Sequence, residues 1–234
     1  MDPTVKKPGL HLLLLEGRLF FEFGTGLIST ALKPKSEVGD GRSVIVIPGF
    51  GGSDLSSTVL RNYLNKIGYK AVGWGLGVNK GTSAKVRESL YQTVNSLFEQ
   101  SGKPVSIIGW SLGGVFAREL ARKLPDQIHS VITMGTPFSG NPHGNRLFGL
   151  SLRVAGKQFT DKDADAFDQR VVSPPVTTVA LHSKTDGIVS WRCSLENERE
   201  NTFNESVFSS HFGYLFNPLV LRKLEVALSK PRIS

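Results

Sequence analysis

The stretch IIGWSLGG, Ile107–Gly114, decides how this chain is read. An apolar, β-branched run ends in a serine set between glycines. Gly-x-Ser-x-Gly is a weak signal by itself, because a chain with 25 glycines in 234 residues produces it by chance. The flanks give it weight. Upstream, PVSIIGW reads as a buried strand. Downstream, LGGVFARELARKLPD reads as a helix that stops at Pro125. A serine at a strand-to-helix junction sits on a sharp, strained turn that pushes its hydroxyl out at the top of a sheet. Gly109 and Gly113 leave room for the crowded backbone. Gly114 lets the helix pack closely on the strand, and the helix N-terminus supplies positive potential for a developing anion.

The same alternation of strand and helix runs outward from Ser111. SVIVIPGFGG reads as a first strand and loop. A helix over Leu55–Ile67 follows, with Ser53 or Asp54 as its cap. GYKAVGW is a second strand. SAKVRESLYQTVNSLFEQSGK is a helix closing at Gly102. IHSVITMGTP and VTTVALHSKTDG are the fourth and fifth strands. A weak last strand, ESVFSS, leads to His211, and a closing helix starts at Pro218. This order predicts an α/β fold: a mostly parallel sheet with helices on both faces. Ligands of such sheets collect at the carboxyl ends of the strands. About 35 residues, from Ser139 to Pro174, break the alternation. The apolar arc over Arg146–Phe159 reads as a cap helix in an insertion spanning 139–175. The whole, 1–234, reads as a single domain with an N-terminal helical segment over 1–41.

A serine is a weak nucleophile without a base, and the base needs an orienting acid. Three histidines follow Ser111. His182 falls inside the fifth strand and suits a buried structural role. His143, in NPHGN, suits the surface. His211 sits in a loop after the last strand, within reach of Ser111. Among the acids, Asp161, Asp163, Asp165 and Asp168 form a solvated run in the cap, and Asp126 lies beside Pro125. Asp186 instead ends the fifth strand in a tight turn, SKTDGIV, at the sheet's carboxyl edge.

Ser111, Asp186 and His211 thus occur in that order at three strand ends. Here the chain resembles the α/β-hydrolases, and more narrowly a bacterial esterase/lipase group. The matching segments are LEGRLFFEF, VIPGFGGSD, GYKAVGWGLGVNKG, GWSLGGVFAREL, SKTDGIVSWRC and SSHFGYLFNPLVL, from about residue 10 to 229. The resemblance implies Ser111 as nucleophile, His211 as general base and acid, and Asp186 as the carboxylate that orients it. It also implies an oxyanion hole made by two backbone N–H groups. One belongs to Leu112. The other belongs to the loop Pro48-Gly49-Phe50, where many relatives read His-Gly; Phe50 is the choice and Gly51 the alternative. Trp110, Trp74, Phe138 and Leu147 are candidates for the wall of an apolar acyl pocket. The expected function is cleavage of carboxylic esters. A thioesterase or amidase would use the same triad, and a non-catalytic binding member of the fold is the reading of a different class.

Composition bounds the rest. Hydrophobic residues make up 39% and charged residues 21%, which suits a globular chain with a substantial core. Lysine and arginine number 28 against 20 acids, a net charge of +8, but no block reaches five like charges, so no nucleic-acid arm is expected. The single cysteine, Cys193, excludes an internal disulfide and a cysteine-based metal site. GWGLGVNKGTS lacks the Gly-Lys-Ser/Thr ending of a phosphate loop and is expected to wall the active site instead. No cofactor, metal or obligate protein partner is expected, and the substrate is a small-molecule or lipid ester. The apolar N-terminus, LHLLLLEGRLFFEFGTGLISTAL, is interrupted by Glu16, Arg18 and Glu22. It is too broken for a secretory signal or a bilayer span, so a cytoplasmic protein is expected. Leu12, Leu15, Leu19 and Phe23 recur at helical spacing, predicting amphipathic helices packed on the domain, with peripheral membrane contact open to them.

Overall fold

The computed structural model describes residues 4–36, 38–81, 83–149, 153 and 169–233. Six strands form one sheet: β1 (Ser43–Ile47), β2 (Lys70–Gly73), β3 (Val105–Trp110), β4 (Ile128–Met134), β5 (Thr177–His182) and β6 (Thr202–Ser206). Their order is β2-β1-β3-β4-β5-β6, and every neighbouring pair is parallel. The central strands β1, β3 and β5 are buried at every position. That explains why they read as unbroken apolar runs and not as alternating ones.

The helices are α1 (Leu10–Leu15), α2 (Leu19–Leu32), α3 (Thr58–Lys66), α4 (Ala84–Ser101), α5 (Leu112–Lys123) and α6 (Pro218–Leu228). They cover both faces, because successive strand residues point to opposite sides. Val44, Val46, Ile108, Ile132 and Met134 pack with α3 and α6. Ile45, Ile47, Ile107 and Val131 pack with α4 and α5. β3 and β4 lie mid-sheet, so the loops at their carboxyl ends open over the centre of the molecule.

Three expectations change. The last strand lies at Thr202–Ser206 and not over ESVFSS. Its edge position leaves it only half covered, with a weak apolar signature. The segment from Val207 to Ser210 is loop, held from within by Val207 N–H donating to the His182 carbonyl (2.9 Å). Neither Ser53 nor Asp54 caps α3 through its side chain. Asp54 accepts instead from the N–H groups of Trp74 (2.9 Å) and Gly75 (3.1 Å), pinning the end of β2. The N-terminal helices form, but their fully buried residues are Glu16, Glu22, Gly26 and Thr30; of the expected face, Leu12 and Leu19 are half-buried, Leu19 against the core, while Leu15 and Phe23 are exposed. Most of the expected cap helix over Arg146–Phe159, and the acidic run Asp161, Asp163, Asp165 and Asp168 beyond it, lie outside the described residues.

Candidate active site

Ser111 follows β3 directly and serves as the residue before α5, with φ 52° and ψ −121°. It is the one non-glycine residue at positive φ among the described residues. A side chain at positive φ costs on the order of 1–3 kcal/mol, so the surroundings must over-determine it. They do so by close packing. A Cβ on Gly113 would stand 2.2 Å from the Ile47 carbonyl oxygen, and one on Gly114 would stand 2.0 Å from Thr136 Oγ1. Gly49 approaches from the loop after β1; a Cβ there would lie 3.0 Å from the Ser111 Cβ. Ser111 N–H donates to the Met134 carbonyl (2.9 Å), and Gly114 N–H donates to the Ser111 carbonyl (3.0 Å).

His211 and Asp186 meet at the neighbouring strand ends. His211 Nδ1 lies 2.8 Å from Asp186 Oδ2, with both side chains almost fully buried. The other carboxylate oxygen accepts from the N–H groups of Ile188 and Val189, each at 2.8 Å. The Asp186 carboxylate therefore has a fixed orientation, and the imidazole is held as the tautomer with its proton on Nδ1. Nε2 is buried and has no hydrogen-bond partner among the described residues. Trp110 links the serine and the imidazole: its indole N–H donates to the His211 carbonyl (2.9 Å), and the two rings lie 5.6 Å apart. Gly135, at φ 54°, makes room for the pair, since a Cβ there would reach Asp186 Oδ2 at 3.0 Å and His211 Nδ1 at 3.2 Å.

The loop after β1 is equally fixed. Gly52 N–H closes a turn onto the Gly49 carbonyl (3.0 Å), with Gly51 at φ 76°. Asn79, fully buried, clasps this turn. Gly51 N–H donates to the Asn79 carbonyl and Asn79 N–H to the Gly52 carbonyl, each at 2.8 Å. The Asn79 amide also donates to the Pro48 carbonyl (2.8 Å). Gly51 N–H is therefore engaged, whereas no described group accepts from Phe50 N–H or Leu112 N–H.

The candidates for a pocket wall are placed as follows. Trp110 packs among the core residues beneath the site. Trp74 is buried on the α4–α5 face, with its indole N–H on the Gly77 carbonyl (2.9 Å). Phe138 is buried under the Arg118 guanidinium, 3.8 Å from its ring centre. Leu147 is half-buried against Val5, Ile188, Val189 and Cys193. His182 is buried and stacked on Trp191, and His143 is exposed.

Sequence reasoning missed a layer of charge behind the site. Glu16 accepts from Gly187 N–H (2.8 Å) and, with both oxygens, from His211 N–H (2.9 Å). Glu22 accepts from Ser210 N–H (3.0 Å), from the Ser210 hydroxyl and from the Asn217 amide (2.8 Å). Arg18 sits between them, on Glu22 (3.3 Å), the Thr185 carbonyl (3.0 Å) and the Thr185 hydroxyl (2.7 Å). One short segment thus grips both the Asp186 turn and the His211 loop. Burial pushes the Glu16 carboxyl above its ordinary range and the Asp186 charge adds to this, while the N–H donors of His211 and Gly187 pull back. The signal was there to read. Charges that interrupt an apolar helix are either its solvated face or its buried one, and the pattern alone does not say which.

No family model matches the sequence, and none of the curated proteins is similar to it. Solved structures do resemble it. A lipase B from Aspergillus fumigatus superposes with a TM-score of 0.64 at 15% identity, over 85% of this chain and 55% of its own length. The chain thus spans little more than half of that lipase. The mature form of a Bacillus licheniformis lipase gives 0.61 at 16% identity, covering 80% of this chain and 92% of that one. A soluble variant of the Saccharomyces cerevisiae monoglyceride lipase, in complex with a substrate analogue, gives 0.60 at 14%, covering 84% and 87%. At such identities the likeness is one of architecture, and with the parallel order of the sheet and its helices on both faces it establishes that this chain has the α/β-hydrolase fold.

Proposed function

We propose that the protein is a serine hydrolase that cleaves carboxylic esters through an acyl-enzyme. The observation that carries this reading is a serine at φ 52° directly after β3, together with a buried imidazole at the same sheet edge whose Nδ1 lies 2.8 Å from Asp186 and whose Nε2 has no hydrogen-bond partner among the described residues. By this reading His211 Nε2 takes the Ser111 hydroxyl proton as Oγ attacks the ester carbonyl. The tetrahedral oxyanion lies at the α5 N-terminus, between the N–H groups of Leu112 and Phe50. His211 then returns the proton to the departing alcohol. A water molecule, deprotonated in turn by Nε2, hydrolyses the acyl-enzyme and frees Ser111. Asp186 holds the tautomer and stabilises the imidazolium without taking its proton.

The test is hydrolysis of p-nitrophenyl esters across short and long acyl chains, paired with labelling by a fluorophosphonate. Turnover together with a stoichiometric adduct on Ser111 is the expected result. A protein that neither turns over any ester nor takes the label overturns the reading.

Glu16 is the positioning residue in this scheme. In Glu16→Gln one carboxylate oxygen becomes an NH₂ facing the backbone N–H of His211, donor against donor. The His211 loop shifts, and kcat is expected to fall roughly 10- to 100-fold with KM little changed. A kcat within about twofold of the wild type would remove Glu16 from the positioning role.

A further inference from the structure

Leu19 packs on the core and Phe23 on Phe216, but the fully buried stripe of α2 is polar or small, and most of its apolar residues face outward, unlike a helix packed on a core by an apolar face. Glu22, Gly26 and Thr30 form the buried stripe of α2. Phe20, Leu27 and Ala31 lie on the opposite side, with Phe21, Ile28 and Leu32 beside them at the same spacing. Leu14, Phe20, Phe21 and Leu32 are between 75% and 82% exposed. A contiguous apolar surface of this kind marks a binding face. Its charges name the occupant. Within residues 4–36 the only acids are Glu16 and Glu22, and both are buried behind the site. The outward face therefore carries no negative charge, while Lys6 and Lys7 stand exposed before α1 and Lys35 after α2. The net charge of +8 repels a second copy of the chain and attracts an anionic surface. Among the described residues no helix is long and apolar enough to cross a membrane, so the geometry suits lying on a bilayer and not spanning it.

We propose that the outward face of α1 and α2 docks on an anionic lipid surface. Because the inward face of the same helices grips the Asp186 and His211 loops, docking sets the site at the bilayer, where lipid esters are its substrates. The substrate half of this proposal rests on the ester-hydrolase reading; the docking half does not.

The test is co-sedimentation of the full chain with vesicles of phosphatidylcholine alone and of phosphatidylcholine mixed equally with phosphatidylglycerol. Partitioning is expected to favour the mixed vesicles by about tenfold or more and to weaken as salt is added. The double variant Phe21→Ser, Ile28→Ser should lower binding to mixed vesicles by about tenfold or more, since both side chains lose their place in the acyl boundary. Lys6→Gln, Lys7→Gln, Lys35→Gln should erase the preference for anionic vesicles. Both variants should hydrolyse a soluble short-chain ester as the wild type does. Absence of vesicle binding, or equal binding to both compositions, overturns the docking. So does a concentration-dependent dimer that Phe21→Ser, Ile28→Ser abolishes, because a second copy would then own the face. Binding to mixed vesicles with neither ester turnover nor a fluorophosphonate adduct would sustain the docking and sink the ester-hydrolase reading.

Discussion

Ser111→Ala is expected to lower ester turnover by roughly 10⁶-fold, and His211→Ala made on top of it should remove little more. On the proposed mechanism the two side chains act as one device. Without the imidazole the hydroxyl keeps its proton, and without the hydroxyl the imidazole has nothing to activate. On the same reading the residual rate comes from what the variants leave intact, the proposed oxyanion hole of the Leu112 and Phe50 amides and the α5 N-terminus, worth about 10³-fold over water. Neither substitution should unfold the chain. Ser111 to alanine keeps the same Cβ at positive φ, and the Gly49, Gly113 and Gly114 contacts are unchanged. The measurement is kcat for the two single variants and the double variant on one short ester. If the single losses multiply in the double variant, Ser111 and His211 do not form a working pair, and the base must be sought elsewhere.

Gly113→Ala should cost the fold itself. The added methyl would stand 2.2 Å from the Ile47 carbonyl oxygen and 2.8 Å from that of Pro48. Both are backbone atoms on or just after a central strand, so neither can swing aside. Relief requires α5 to lift from β1, and that opens the core around Phe116 and Leu120. A loss of about 3 kcal/mol or more is expected, at the upper end of overpacking effects. Gly24→Ala is the comparison. Nothing lies within 4 Å of its added Cβ on α2, and that variant should gain about 0.5–1 kcal/mol from helix propensity. Thermal melts of the two read the difference. Equal melting temperatures would mean that the α5–β1 contact is not rigid.

The sequence was most legible where one local rule acted alone. The buried strands are continuous because they sit mid-sheet, and the Ser111 turn is glycine-rich because α5 passes within contact of β1. The pairing of Asp186 with His211 could be anticipated from their places near strand ends, and their side chains do meet. Residues with two competing partners were less legible. Asp54 had the composition of a helix cap, yet the N–H groups at the end of β2 took its carboxylate. Glu16 and Glu22 looked like breaks in an apolar helix, and only the loops packed against them turned that helix over. The clasp of Asn79 on the Gly49–Gly52 turn joins residues that no period connects, so no pattern could announce it.

The grip of Glu16 also sets an order in time. Glu16 reaches partners 171 and 195 residues further along the chain. A ribosome releases α1 and α2 well before the loop of His211. Closing so long a separation comes late, because its entropy must be lost before its contacts form. In the growing chain the two glutamates wait with their inner partners unmade, and the sheet can be largely assembled before they are satisfied. On the proposed mechanism, competence then waits for the His211 loop, which emerges only after all six strands of the sheet.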